Sequence, residues 1–121
     1  MIDVSPHHLE TVKAILRRHL PGREVCVFGS RARGTAKEYS ALDLAIIGDV
    51  PLTLGQLALL ENDLDESELP FKVDVVDWAA TGEPFRQVIR KTAVVLLAKG
   101  DGFAGGEIKA TDLSEDENIL V

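Results

Sequence analysis

The chain has a single cysteine, Cys26, so no internal disulfide can form, and a reducing, cytoplasmic setting is expected. Cys26 falls in an apolar segment, where a buried, inert thiol is expected rather than a nucleophile. Nothing approaches the roughly 18 consecutive apolar residues that span a bilayer, and the first residues lack the pattern of a secretory signal. No membrane partner is expected. Net positive charge is missing too: 13 basic and 20 acidic side chains give −7, which argues against direct, non-specific nucleic-acid binding. There is no internal repeat.

What is present suits one small domain. A chain of 121 residues with 45% hydrophobic content can bury a single modest core. The charge is uneven. Residues 1–100 hold 12 basic and 14 acidic side chains, whereas residues 101–121 hold one basic and six acidic. The domain is therefore expected over 1–100, nearly neutral, followed by an acidic tail over 101–121. Glycine and charge dominate that tail and hydrophobic periodicity vanishes, so it reads as disordered, or as a segment that orders on a partner.

Ser5-Pro6 is a helix-start signal, a capping hydroxyl ahead of proline at the first helical position. Leu9, Val12, Leu16 and Leu20 then share a face, with Ile15 beside them, and Pro21-Gly22 ends the helix. His7, His8 and His19 of this segment read as surface histidines. Residues 24–28 form a near-continuous apolar run, expected to be a strand buried on both faces. Residues 30 to about 34 make a short helix, 34–39 a polar loop, and 42–47 a second strand. Thr53 caps a helix carrying Leu54, Leu57, Ala58, Leu60 and Leu64. Residues 71–77 form a third strand, expected to be central, with Val73 and Val75 on one face and Asp74 and Val76 on the other. A lone charge among valines in a central strand is expensive unless paired or metal-bound, so Asp74 is a candidate functional carboxylate. Asp77 is expected to cap the next turn. Glu83-Pro84 opens a helix with Phe85, Val88 and Ile89 on one face and Arg86, Arg90 and Lys91 on the other. A last strand is expected over 93–98.

The chemistry concentrates between the first two strands. After Val25-Cys-Val-Phe28 comes Gly29-Ser30, then Arg31-Ala-Arg33-Gly34; ten residues separate Ser30 from Ala41, and Asp43 lies two beyond. A glycine lets the backbone approach a phosphate closely. A serine opening a helix offers a hydroxyl beside backbone N–H groups at the positive end of the helix dipole. Arg31 and Arg33 follow, either of which could fork onto phosphate oxygens, pair with Glu38 or face water. Tyr39, the one tyrosine, could stack on a base, although loop packing is the plainer reading. Carboxylates at 41 and 43 would point to one face of the strand, but position 41 is alanine.

This arrangement resembles the DNA-polymerase-β-like nucleotidyltransferases, whose signature is Gly-Ser, ten residues, Asp-any-Asp. The wording Gly-Ser-Arg-Ala-Arg-Gly is most similar to the minimal nucleotidyltransferases, the MntA-type antitoxins paired with HEPN toxins. The resemblance covers residues 8 to about 98. It implies an α/β (α+β) nucleotidyltransferase fold, a small mixed β-sheet with helices packed on one face. It implies ATP as substrate, Mg²⁺ or Mn²⁺ held by Asp43 and Asp74, and nucleotide contacts from Gly29, Ser30, Arg31 and Arg33. It also implies transfer of AMP to a tyrosine of a HEPN-type ribonuclease toxin, in a hetero-oligomer.

Ala41 departs from the signature, because a methyl group cannot ligate a metal. Activity is expected to be impaired while the fold is kept, and the intact remainder of the motif favours an inactivated form of an active enzyme over a natural pseudoenzyme. Two other readings stay open. One is an antitoxin that acts by binding alone. The other is a nucleotidyltransferase acting on a small molecule such as an aminoglycoside, which the missing acceptor-presenting domain disfavours.

Overall fold

The computed structural model describes residues 1–100, so the acidic tail expected over 101–121 lies outside the described residues. Four helices and four strands follow in the order α1 (Pro6–His19), β1 (Val25–Phe28), α2 (Ser30–Arg33), β2 (Leu42–Ile46), α3 (Leu54–Asp65), β3 (Val73–Asp77), α4 (Glu83–Thr92) and β4 (Val94–Leu97). A 3₁₀ turn over Trp78–Ala80 links β3 to α4. The caps are those the sequence announces. The Ser5 hydroxyl accepts from the His8 N–H, and Thr53 and Gln56 form a reciprocal capping box. Asp77 accepts the Ala79 N–H at 3.2 Å and, with its other oxygen, the Leu52 N–H at 2.8 Å.

The strands form one mixed sheet in the order β3-β2-β1-β4. β1 is antiparallel to both of its neighbours, and β2 runs parallel to β3 through the α3 crossover. All four β1 residues are buried, as a central strand requires. The strand alternation divides the core in two. Val25, Val27, Leu42, Leu44, Ile46 and Val73 face α1 and α3, meeting Val12, Ile15, Leu16, Leu60 and Leu64. Cys26, Phe28, Ala45 and Ile47 face the other way and meet Ile89 of α4. The helices therefore do not all lie on one face: α1 and α3 do, and α4 packs on the opposite one, because Ile89 needs the apolar patch that β1 and β2 leave there.

Three local readings change. β3 is an edge strand rather than a central one, since among the described residues no further strand follows it in the sheet. On α3, Leu54 and Ala58 are exposed, and the buried face is made by Leu60 and Leu64. On α1, His19 is half-buried and its Nε2 lies 2.8 Å from Asp63 Oδ2, which also accepts from Arg18 Nη1 at 2.7 Å, tying α1 to α3.

The loop from Gly34 to Ala41 has no regular structure, and Arg31 holds it in place. Its guanidinium is buried and donates to three carbonyls, those of Ser40 (2.9 Å), Asp3 (2.8 Å) and Glu38 (3.1 Å), while its Cζ sits 4.4 Å from the Phe71 ring centroid. One planar fork thus joins the N-terminal segment, the loop and the approach to β3. Lysine keeps the charge but not the fork. Arg31→Lys should lower stability by about 2 kcal/mol in urea unfolding, whereas Arg33→Lys should stay within about 0.5 kcal/mol of the parent. Equal effects would show that the buried fork does not hold the loop.

Candidate active site

Val25–Phe28 ends at Gly29, whose φ of 80° lies in the left-handed region that other residues rarely adopt. The backbone turns there into the short helix Ser30–Arg33, which closes on Gly34. A side chain at 29 would be strained by this φ, and its Cβ would lie 2.5 Å from Asp43 Oδ2, so the carboxylate would have to move. The Gly-Ser turn and the Asp43 carboxylate are in this way pressed against each other, and Phe28 pairs with Asp43 in the β1–β2 register. Ser30 is half-buried at the start of α2.

Asp43 pairs directly with Asp74 in the parallel β2–β3 register, so both side chains emerge side by side on the α4 face of the sheet. Asp43 is half-buried. Asp74 is 46% exposed because β3 is an edge, and Lys72 Nζ approaches its Oδ1 at 3.5 Å. Burial, and then the neighbouring Asp74 charge, push the Asp43 pKa up from its ordinary 3.8. Ala41 is half-buried and lies just outside the strand, before Leu42.

A cleft of about 640 Å³ opens over this pair, and α4 forms its far wall. Its lining includes Gly29, Arg33, Asp43 and Asp74, together with Phe85, Val88, Lys91 and Thr92 of α4. Arg33 therefore stands in the cleft, and Arg31 does not: its guanidinium is occupied by the carbonyls described above, including that of Glu38 rather than the Glu38 carboxylate. Tyr39 is exposed on the loop.

The α4 contribution was not anticipated. Phe85 and Val88, expected on one face with Ile89, are 43% and 48% exposed and line the cleft, while Ile89 is buried. Phe85 meets Phe28 edge-to-face with centroids 5.9 Å apart. Thr92 Oγ1 accepts the Gly29 N–H at 2.9 Å and so anchors the turn from across the sheet. Arg86 and Arg90 leave the cleft and stack on Trp78 at 4.8 and 5.1 Å. A spacing of 85, 88 and 92, one side of the helix adjoining Ile89, was the available signal.

Among the described residues no group of three or more His, Cys, Asp or Glu side chains converges on a metal-sized point. Two adjacent carboxylates nevertheless fit Mg²⁺, which commonly takes one or two from protein and completes its shell with water and phosphate. Burial first, and the neighbouring Asp74 charge second, disfavour the ionised form of Asp43, and a cation held between the two carboxylates would favour it.

The sequence matches the polymerase beta nucleotidyltransferase family over residues 10–101. The chain belongs to that family. It is 46% identical over 98 residues to a probable protein adenylyltransferase MntA of Haemophilus influenzae (strain Rd), covering 81% of this chain and 86% of that protein. The fold is similar to that of a toxin–antitoxin crystal structure containing AMP-PNP, with a TM-score of 0.67 at 20% identity over 93% of this chain and 82% of the other. It is similar as well to a structure of the tri-AMPylated Shewanella oneidensis HEPN toxin in complex with its MNT antitoxin. There the TM-score is 0.64 at 17% identity, over 94% of this chain and 77% of the other. The expected mixed-sheet nucleotidyltransferase fold is thus the observed one.

The raised Asp43 pKa has a definite sign in stability. The folded chain binds a proton at Asp43 more readily than the unfolded chain, so stability falls as pH rises from the ordinary carboxylate pKa through the raised one. The full penalty is present above that window. Asp43→Asn should therefore melt higher than the parent near pH 7, with the gap closing near pH 3, in thermal melts followed by circular dichroism. A lower melting temperature for Asp43→Asn near pH 7 would show that ionised Asp43 is not a burden to the fold.

Proposed function

We propose that this chain is the antitoxin nucleotidyltransferase of a toxin–antitoxin pair, built to transfer AMP from ATP to a tyrosine of a HEPN-type ribonuclease toxin, and impaired here by Ala41. The observation that carries this reading is the pairing of Asp43 with Asp74 on one open face, pressed against the Gly29-Ser30 turn. The 46% identity to a probable protein adenylyltransferase supports the reaction class, and the two toxin–antitoxin structures support the kind of partner.

In this reading the Gly29 turn admits the triphosphate close to the backbone, and the Ser30 hydroxyl and Arg33 contact its oxygens. Asp43 and Asp74 hold Mg²⁺ or Mn²⁺. The metal, when bound, neutralises triphosphate charge and helps align the reacting groups. The tyrosine oxygen forms a bond to the α-phosphorus and gives up its proton to solvent, the bond to the bridging oxygen breaks, and pyrophosphate leaves with that electron pair. Because Asp74 stands at the sheet margin, half-exposed, a folded acceptor can reach the site from the side.

A second reading is favoured by Ala41 itself: neutralisation by binding alone, with the nucleotide site retained but incompetent. The two separate on one substitution. Ala41→Asp should restore a carboxylate two residues before Asp43 and give AMP transfer that depends on Mg²⁺ or Mn²⁺. Mass spectrometry of a HEPN partner after incubation with ATP should show one or more AMP additions with Ala41→Asp and little or none with the parent. Transfer by the parent at the same rate would show that the first carboxylate is dispensable. No transfer by Ala41→Asp, with a folded partner and several nucleotides, would favour binding alone.

A further inference from the structure

The motif accounts for one wall of the cleft; the other belongs to α4. The basic residues of α2 and α4 fall into two groups. Arg31, Arg86 and Arg90 are held by protein: Arg31 by three carbonyls, Arg86 by the Trp78 carbonyl at 2.7 Å, and Arg90 by Glu83 at 2.7 Å. Arg33 and Lys91 make no ion pair or side-chain hydrogen bond among the described residues, and these two line the cleft, from α2 and α4 respectively. Lys91 is exposed, and it follows directly on Arg90 in the last turn of the helix.

We infer that Lys91 is a binding residue for the outer phosphates of the triphosphate, acting opposite Arg33 across the Gly29-Ser30 turn. This rests on the nucleotidyltransferase reading and adds to it a residue outside the motif. Three features support it. The bond from the Gly29 N–H to Thr92 Oγ1 fixes the end of α4 beside the turn, so Lys91 is carried to the cleft by a neighbour that is itself anchored. Asp43 and Asp74 put two negative charges into the cleft, and a triphosphate adds several more, so binding demands cations beyond a metal ion. The carbonyl end of α4 also points its partial negative charge toward this region, which would repel an anion unless a cation stands there. A lysine suits that place as a mobile point charge that can follow the pyrophosphate half of the ligand.

A basic residue in the last turn of a helix is favourable for the helix dipole alone, so the test must read triphosphate recognition rather than stability. Equilibrium binding of AMP-PNP and of AMP, each with Mg²⁺, is measured for the parent chain, Lys91→Met and Lys91→Arg. Lys91→Met should weaken AMP-PNP binding about tenfold and change AMP binding less than about threefold, while Lys91→Arg should keep AMP-PNP within about threefold of the parent. Lys91→Arg should melt with the parent, and Lys91→Met no more than a few degrees lower. Unchanged AMP-PNP affinity in Lys91→Met, or equal losses for AMP-PNP and AMP, would overturn the assignment and leave the proposed function standing. Failure of the unsubstituted chain to bind either nucleotide would overturn the nucleotide reading, and this assignment with it.

Discussion

Two like charges set side by side in a parallel strand pair are the constraint on which this structure depends. Asp43 and Asp74 occupy the same register position on β2 and β3, and burial holds Asp43 where its charge is least welcome. A fold selected for stability alone would place a neutral residue at one of these positions. The arrangement persists because the rest of the molecule over-determines it. The opposite face of the same strands is filled by Leu42, Leu44, Ile46 and Val73 against α1 and α3. A one-residue slip of either strand would turn those residues to the cleft face and the carboxylates into the core.

Much of this was legible in the chain. The apolar run before Gly29 and the alternation around Asp74 fix which side chains share a face, because a strand has a period of two whatever its neighbours are. The motif spacing then brings the turn and Asp43 together. The place of β3 in the sheet was not legible, since the order of strands is decided by pairing between distant segments, and Val73-Asp-Val-Val76 reads the same at an edge as in the middle. Arg31 misled for a related reason. Within Arg31-Ala-Arg33 the two arginines look equivalent, and only the arrival of Asp3, Ser40 and Phe71 from elsewhere makes one of them internal. Ala41 needed no structure to be noticed, whereas Thr92 and Lys91 carry no local mark of their connection to Gly29.

The division of labour between the two faces of the sheet follows. α1 and α3 cover one face fully and are tied to each other by Asp63 with Arg18 and His19, so that face is given over to stability. The other is only partly covered, by α4, whose Ile89 packs among Cys26, Phe28, Ala45 and Ile47, and the uncovered remainder is the cleft. A single change on the open face can therefore alter its chemistry without touching the packing that holds the sheet together.

The bond between Gly29 and Thr92 spans 63 residues of chain, and it bears on the order in which the molecule can be made. β1 acquires its second neighbour only when β4 arrives, and the turn acquires its anchor only when α4 does. During synthesis the entire recognisable motif, from Val25 to Asp43, is complete long before the elements that give it shape. Contacts of such separation form late and limit folding speed, since the loop must close before they repay it. A nascent chain halted before α4 would present the signature without the cleft, which takes shape together with the last helix and strand and not with the motif.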